Sequence, residues 1–436
     1  MTRHQITRRT LLSAAAAVPL LAACGRGGGS SDGTVRFEGW DYESQLVQQN
    51  LDGFMAKNPD VKVAYTPITS AQYVRKVVAE FTGKNGPDAL YVYDDSLATW
   101  VESGYLQPLD GLPGVDEVYN GIYAANAQAM TYKDKRYGLP YYTDSTGLIY
   151  NAAILERAGI KAPPKSLDEL EAQSITIRAA GLIQYPIAFA AQLQDTWASW
   201  LWALMYGSGG SMFADDLTPT LAGADPVPLA VYEWIHKAAT VSKIIDPASL
   251  QLTPVPLDNA MMAGQYAFNL GSRYALRVYN DPAKSKAAGA MKLAQVPSLD
   301  GAVHGTVANT RMYGLAAETQ VKDKAMVLLN FLGGHTDGQP QTARFWFLQR
   351  GLGFTFKDMA KDKEITDALA KWVDPATYAA LADVAKARNI VQAPWYAEFE
   401  AALQKTSQQI LTDQITPQAT TTTLADTATT LKKKYS

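Results

Sequence analysis

The sequence contains almost no cysteine, with a single residue, Cys24, among 436. One cysteine excludes an internal disulfide framework and a metal site built from cysteines alone. Histidine is also scarce, and none of the four histidines has the His-Glu-x-x-His or paired Cys/His spacing of a zinc site. The sequence has no Walker A loop and no dinucleotide-binding glycine pattern either. We therefore expect no metal site and no cofactor.

An excess of positive charge is also missing. The 39 lysines and arginines face 42 aspartates and glutamates, which gives a formal net charge of -3 at pH 7. Proteins that bind nucleic acid are typically basic, so we expect no nucleic acid among the partners. With 47% hydrophobic residues, the chain has enough apolar material for two or three packed cores.

Residues 1–23 have the pattern of an export signal. An arginine pair at 8–9 precedes an apolar run that is too short to span a bilayer as a permanent helix. The pair resembles a twin-arginine signal, and residues 21–24 resemble a bacterial lipobox, in which the cysteine is lipidated. Residues 24–33 are rich in glycine and serine and are predicted to form a flexible tether. We expect Cys24 to anchor the exported protein to the outer face of the cell membrane.

Strand-like and helix-like segments alternate from residue 34 onwards. Residues 35–40, 61–68 and 89–93 have strand patterns, and helical apolar spacing follows each of the first two. This alternation predicts an α/β architecture with a largely parallel sheet. Ser166 and Glu169 form a capping box, in which the serine accepts from the Glu169 amide and the glutamate reaches back to the serine amide. A helix is therefore predicted to begin there.

A series of short motifs follows in order along the chain. Pro-Asp at 87–88 precedes an apolar strand, and Gly-Tyr-Leu-Gln-Pro-Leu occupies 104–109. Tyr-Gly-Leu-Pro at 137–140 is followed by Leu-Ile-Tyr-Asn at 148–151 and by Pro-Pro-Lys-Ser-Leu-Asp-Glu-Leu at 163–170. In this order and spacing, the motifs resemble the extracellular solute-binding proteins of bacterial ABC importers, specifically the carbohydrate-binding group related to maltose-binding protein. The resemblance covers nearly the whole mature chain.

The resemblance implies a periplasmic-binding-protein-like α/β fold. In that fold, two α/β lobes are joined by a hinge that the chain crosses three times, and the ligand cleft lies between the lobes. By analogy, the crossings are expected near residues 140–146, 299–305 and 332–338. The implied N-terminal lobe comprises residues 34–142 plus 303–334, and the implied C-terminal lobe comprises residues 146–299 plus 338–436.

The resemblance also implies a function. The protein is expected to be a substrate-binding lipoprotein that captures a mono- or oligosaccharide outside the membrane and delivers it to an ABC permease by lobe closure. It would act as a monomer and would catalyse no reaction.

Candidate ligand-binding residues follow from the chemistry of sugars, which offer apolar ring faces and hydroxyl groups. A sugar pocket therefore needs aromatic rings together with carboxylates or amides. Some candidates stand directly after predicted strands, where ligands dock on open α/β sheets, and the others match ligand-binding positions that the resemblance implies. The predicted ligand-binding residues are Trp40, Asp41, Asp95, Asp144, Asp195, Trp197, Arg273, Trp395 and Tyr396.

Arg273 departs from the family pattern, because the family often has a tryptophan at the matching position. An arginine can donate to hydroxyl groups, yet it also suits carboxylate or phosphate ligands. The first alternative is therefore the same transport role with an anionic ligand, such as a sugar acid or a phosphorylated polyol. The second alternative is an exported glycosidase, since paired acids in a cleft could also serve that reaction.

Overall fold

The structure, a computed structural model, describes residues 33–193, 199–223 and 225–435. The strands of this part of the chain are β1 (Val35–Trp40), β2 (Val63–Ile68), β3 (Ala89–Tyr93), β4 (Thr131–Tyr132), β5 (Lys135–Arg136), β6 (Gly138–Asn151), β7 (Phe268–Ser272), β8 (Met291–Ala294), β9 (Thr306–Leu315) and β10 (Ala385–Lys386).

The α-helices of the same residues are α1 (Ser44–Lys57), α2 (Ser70–Thr82), α3 (Asp94–Glu102), α4 (Val115–Gly121), α5 (Ala124–Ala129), α6 (Ala152–Arg157), α7 (Leu167–Ala179), α8 (Ser199–Gly207), α9 (Pro226–His236), α10 (Pro254–Met262), α11 (Leu276–Tyr279), α12 (Lys322–Gly333), α13 (Gln341–Arg350), α14 (Lys363–Leu369), α15 (Pro375–Asp383), α16 (Tyr396–Leu411) and α17 (Pro417–Tyr435). A π-helical turn, Lys237–Val241, continues α9. None of the helices in the described ranges is long and apolar enough to cross a membrane.

Eight strands form the main sheet, in the order β2-β1-β3-β9-β6-β7, with β10 paired to β9 and β8 paired to β6. Strand β1 runs parallel to β2 and β3. Strands β3, β6, β7 and β8, by contrast, make antiparallel pairs with β9 or with β6. Beyond the first three strands only the short β10 pairs in parallel, with β9, so the sheet is mixed and the prediction of a largely parallel sheet was wrong. The reason is that β6 and β9 are long strands that pass through the sheet in opposite directions.

The two long strands join two α/β halves. The first part of β6, residues 138–145, pairs with β9 beside the N-terminal strands. Its second part, residues 146–151, pairs with β7 and β8. One of the two hydrophobic cores consists only of residues from Leu148 onwards, whereas the other includes β1 and β3. Both cores are therefore connected through the same pair of strands.

The last third of the chain contacts the N-terminal half and the first part of β6. On α13, the ring of Trp346 lies 6.3 Å from that of Tyr42 and 5.7 Å from that of Tyr141. Further along, the Gly353 carbonyl accepts the Thr143 amide at 3.0 Å. A Cβ atom at position 353 would lie 1.9 Å from the Thr143 carbonyl oxygen, so only glycine fits this close approach.

The predicted capping box begins α7, with one difference. Ser166 Oγ accepts the Glu169 amide at 3.1 Å, as expected. The Glu169 carboxylate, however, accepts the amide of Lys165 at 2.7 Å instead of the serine amide. Two backbone N–H groups are still satisfied, so the start of the helix was predicted correctly. The backbone amide that donates to Glu169 is that of Lys165, one residue before the predicted one.

Candidate ligand-binding site

Asp144 and Arg273 face each other where β6 meets β7. Asp144 is 5% exposed and Arg273 has no exposed surface. Arg273 Nη1 donates to the Tyr378 carbonyl at 2.6 Å, and its guanidinium lies 3.9 Å from the Tyr378 ring centroid. Arg273 Nε lies 4.0 Å from Asp144 Oδ1, too far for a hydrogen bond. Burial therefore outweighs the arginine and raises the pKa of Asp144 to about 6.

Asp94 and Asp95 begin α3 directly after β3. Asp94 is 3% exposed, and its carboxylate accepts Arg311 Nη1 at 2.8 Å and the Thr310 amide at 3.1 Å. Asp95 is partly exposed and accepts the Ser96 hydroxyl at 3.2 Å. Burial, together with the neighbouring Asp94, raises the pKa of Asp95. Of the two acids, the predicted Asp95 is therefore the more accessible, while Asp94 holds the buried ion pair.

Arg388 connects this acid pair to α16. Its Nη2 lies 3.6 Å from Asp94 Oδ1, and its Nη1 donates to the Tyr396 hydroxyl. That hydroxyl donates in turn to Glu400 at 3.1 Å. Tyr396 is 6% exposed, so it links the two halves and does not present the open ring face that was predicted.

The two predicted tryptophans of the described residues are packed inside the protein. Trp40 is 5% exposed and stacks on Tyr93, with ring centroids 4.5 Å apart and an interplanar angle of 18°. Trp395 is 3% exposed and lies 6.0 Å from the Phe213 ring and 6.3 Å from the Phe399 ring. Both indoles contribute to core packing here, in contrast to the ligand-stacking role expected from the sequence.

Asp41 lies at the carboxyl end of β1, as predicted, and is exposed. Its carboxylate accepts the hydroxyl of Ser44. Glu43, in the same loop, pairs with Arg350 of α13 at 2.6 Å. Glu43 also has a φ of 52°, which is uncommon for a residue other than glycine. The ion pair between Glu43 and Arg350 therefore links the loop after β1 to α13.

A cavity opens beside Arg273 in the C-terminal half. One wall is the indole of Trp200, which stacks on Phe189 with ring centroids 4.5 Å apart. At its edge lies Tyr274, which is 38% exposed. Apolar walls with a few polar groups are the usual composition of a small-molecule site. The cavity is lined by Thr146, Ala190, Ser199, Trp200, Pro254, Leu257, Asp258, Asn269, Leu270, Gly271, Ser272, Tyr274 and Ala275.

Sequence reasoning did not select three side chains of this cavity. Tyr274 follows β7, so the strand-end argument used for β1 and β3 could have found it. Trp200 is both buried and part of the cavity wall. Asp258, on α10, had no sequence signal. Burial raises the pKa of Asp258 to about 6.

The remaining predicted residues, Cys24, Asp195 and Trp197, lie outside the described residues. Ser199, which follows the segment 194–198, lines the cavity. Within the ranges that the structure describes, no group of three or more His, Cys, Asp or Glu side chains could hold a metal ion.

Comparison with known proteins identifies the family of this chain. The family model for bacterial extracellular solute-binding proteins matches residues 40–339, more than half of the chain. The chain belongs to this family. Among the relatives, the galactooligosaccharide-binding protein of Bacillus subtilis is 30% identical over 160 residues, which cover 35% of this chain and 37% of that protein.

Solved structures show the same fold. The cyclic alpha-maltosyl-1,6-maltose binding protein of Arthrobacter globiformis superposes with a TM-score of 0.77, at 16% identity, over 92% of this chain and 99% of that chain. Maltose-bound MalE3 of T. maritima gives a TM-score of 0.76 at 18% identity, over 91% of this chain and 99% of that chain. The predicted family and the predicted two-lobe, periplasmic-binding-protein-like fold are thus confirmed.

Membership of this family supports two broader statements. The family consists of binding proteins and not of enzymes, so this solute-binding protein has a substrate-binding role. An extracellular family also implies an exported location.

Proposed function

We propose that this solute-binding protein is a lipoprotein that captures a mono- or oligosaccharide outside the membrane and delivers it to an ABC permease. The cavity beside Arg273 is the observation that carries the proposal. This cavity lies at the end of β7, in the half that contains α8 and α10. Its lining combines two aromatic rings with acid, amide and hydroxyl groups. This combination matches the ring faces and hydroxyl groups of a sugar.

Closure of two lobes is the proposed mechanism. The lobes would be residues 34–142 plus 303–334 and residues 146–299 plus 338–436. A ligand that contacts both lobes binds the closed form more tightly than the open form, so it shifts the population toward closure. Asp95, from the N-terminal half, and Tyr274, from the C-terminal half, are the accessible side chains from which such a bridge would form. The permease would recognise the closed form.

The test is a binding assay on the mature protein. Thermal shifts would first be measured with neutral mono- and disaccharides, because a ligand that prefers the folded state raises the melting temperature. Calorimetry would then compare the wild type with Tyr274→Ala. We expect about a tenfold loss of affinity, which is about 1.4 kcal/mol, from the lost ring contact.

The matched control is Tyr435→Ala, which removes a tyrosine that is 46% exposed on the last helix. This variant should bind as the wild type does. Recovery of the sugar unchanged after incubation would separate binding from hydrolysis. Equal affinity of the Tyr274→Ala variant and the wild type would remove the cavity from the proposal.

An anionic ligand is the second candidate, and Arg273 is the observation that favours it. Two contacts count against it, because the guanidinium already faces Asp144 at 4.0 Å and donates to the Tyr378 carbonyl. A free anion would have to compete with both groups. Competition between a neutral disaccharide and the matching sugar acid, at low and high salt, distinguishes the two ligand classes, since only the anion should lose affinity with salt.

Lipidation at Cys24 is the proposed anchor. A Cys24→Ser variant, expressed in a bacterial host that processes lipoproteins, should move from the membrane fraction to the released fraction. An unchanged distribution would contradict the anchor while leaving the binding role intact.

A further inference from the structure

The cavity beside Arg273 is lined by residues of the C-terminal half. Its polar groups there include Asp258, from α10, and Asn269, from β7. The other walls are apolar and include Trp200, Leu257 and Leu270. Among the described residues that line the cavity, none is an arginine or a lysine.

One oxygen of Asp258 is held in place by a buried tyrosine. The Tyr279 hydroxyl donates to Asp258 Oδ1 at 2.5 Å, and Tyr279 is 1% exposed. Asn269 also lies against the Tyr279 hydroxyl. Among the hydrogen bonds of the described residues, none reaches Asp258 Oδ2. The carboxylate is thus fixed in orientation and keeps one acceptor atom for another molecule.

Asn269 provides a second acceptor. The residue is 3% exposed, and its Oδ1 has no hydrogen-bond partner within the described part of the chain. A buried acceptor without a partner is unfavourable by about 1–3 kcal/mol, so native proteins rarely retain one without a reason. Asn269 lines the same cavity, so a molecule bound there is the nearest candidate for the missing donor.

Two acceptors and an indole in the lining of one cavity select a particular kind of molecule. Hydroxyl groups can donate to both acceptors, and a ring with C–H faces can lie against the indole. A carboxylate or phosphate in the same place would meet the like charge of Asp258, which disfavours it.

We infer that Asp258 and Asn269 are specificity-determining residues that accept hydrogen bonds from two hydroxyl groups of an uncharged sugar or polyol. This inference rests on the proposed function and narrows it to a neutral ligand. It also assigns the recognition of individual hydroxyl groups to the cavity in the C-terminal half.

The experiment begins with a thermal-shift panel on the wild-type mature protein at pH 7.5. The panel contains glucose, galactose, maltose, lactose and mannitol, with glucuronate, galacturonate and glucosamine as charged counterparts. Calorimetry then measures the best neutral binder against Asp258→Asn and Asn269→Ala. We expect each variant to bind 10- to 100-fold more weakly, because hydrogen bonds to buried or charged groups are lost.

The control is Asp426→Asn, which removes the same charge from an exposed position on α17. It should bind as the wild type does.

Deoxyfluoro analogues of the best binder separate recognition from folding. Fluorine removes the donor at one hydroxyl position, so the wild type should bind at least one analogue at least tenfold more weakly than the parent sugar. Asp258→Asn or Asn269→Ala should bind that analogue and the parent sugar equally, since the discriminating acceptor is gone. A variant that is merely misfolded would weaken both ligands and keep their ratio.

The outcomes separate the inference from the proposed function. If no member of the panel binds, the proposed function fails, and the inference fails with it. In another outcome, a neutral sugar binds while Asp258→Asn and Asn269→Ala both keep the wild-type affinity and the wild-type ratio of affinities for the parent sugar and its deoxyfluoro analogue. That result overturns the inference alone. Preference for a uronate or for glucosamine would overturn the inference as well, while leaving the transport role standing.

Discussion

Replacement of Asp144 by asparagine should remove a pH-dependent part of the stability of the fold. Burial raises the pKa of Asp144 from its ordinary value of 3.8 to about 6, because burial disfavours the charged form of the carboxyl group. The folded state therefore holds a proton that the unfolded state releases. Stability from this group is fully present below pH 3.8 and is lost as the pH rises to about 6. At 1.36 kcal/mol for each pKa unit, the loss is about 3 kcal/mol.

The assay is urea unfolding of the wild type and Asp144→Asn between pH 3.5 and 7. Asparagine cannot ionise, so the variant keeps next to Arg273 the neutral side chain that the wild type has below pH 6, and the remaining effect of the exchange does not depend on pH. The informative quantity is the difference in unfolding free energy between the two proteins. The unfolding free energy of the variant minus that of the wild type should increase by about 3 kcal/mol as the pH rises from 3.5 to 7.

The control is Asp426→Asn, which changes an exposed side chain. The difference in unfolding free energy between this variant and the wild type should change less with pH than the difference for Asp144→Asn. A difference that stays constant for Asp144→Asn, or that moves in favour of the wild type with rising pH, would refute the reasoning. Either result would mean that Arg273 stabilises the charged carboxylate more than burial destabilises it.

Three further substitutions test the packing. Asp94→Asn should lower the unfolding free energy by about 3–5 kcal/mol, because it removes the charged carboxylate to which the buried Arg311 donates. Glu102→Gln, at an exposed ion pair, should change it by less than about 1 kcal/mol. Equal effects of the two substitutions in chemical denaturation would contradict this. Gly353→Ala places a Cβ 1.9 Å from a backbone oxygen and should reduce the melting temperature strongly, while Gly53→Ala, with no atom within 4 Å, should not. Trp395→Ala should lower stability by about 3–5 kcal/mol with little change in sugar affinity; weaker binding at an unchanged melting temperature would return the ring to the ligand site.

Local signals in the sequence predicted individual elements well. The strand Val35–Trp40 and the strand Ala89–Tyr93 have the predicted bounds, because alternation and the flanking residues act within a few positions. The strand directions could not be predicted in the same way. Tyr91 pairs with Tyr313, more than two hundred positions away, and no local pattern encodes such a partner.

The predicted site residues also differ in how well the sequence indicated their positions. Asp144 and Arg273 were selected through the family resemblance, and the structure brings them together. Trp395 was selected in the same way but packs inside a core. An aromatic residue has the same signature in sequence whether its ring faces a ligand or a neighbouring side chain. Only the packing of Phe213 and Phe399 against it distinguishes the two cases.

The ladder between β6 and β9 restricts how the halves can move relative to each other. It runs from Gly138 to Ser145 on β6, with a register shift beside Tyr141. Sliding one strand along the other would break every rung at once, whereas flexing the ribbon out of its plane keeps the rungs intact. Any displacement of the halves relative to each other therefore bends this two-stranded ribbon, and the pairing register of the ribbon changes beside Tyr141.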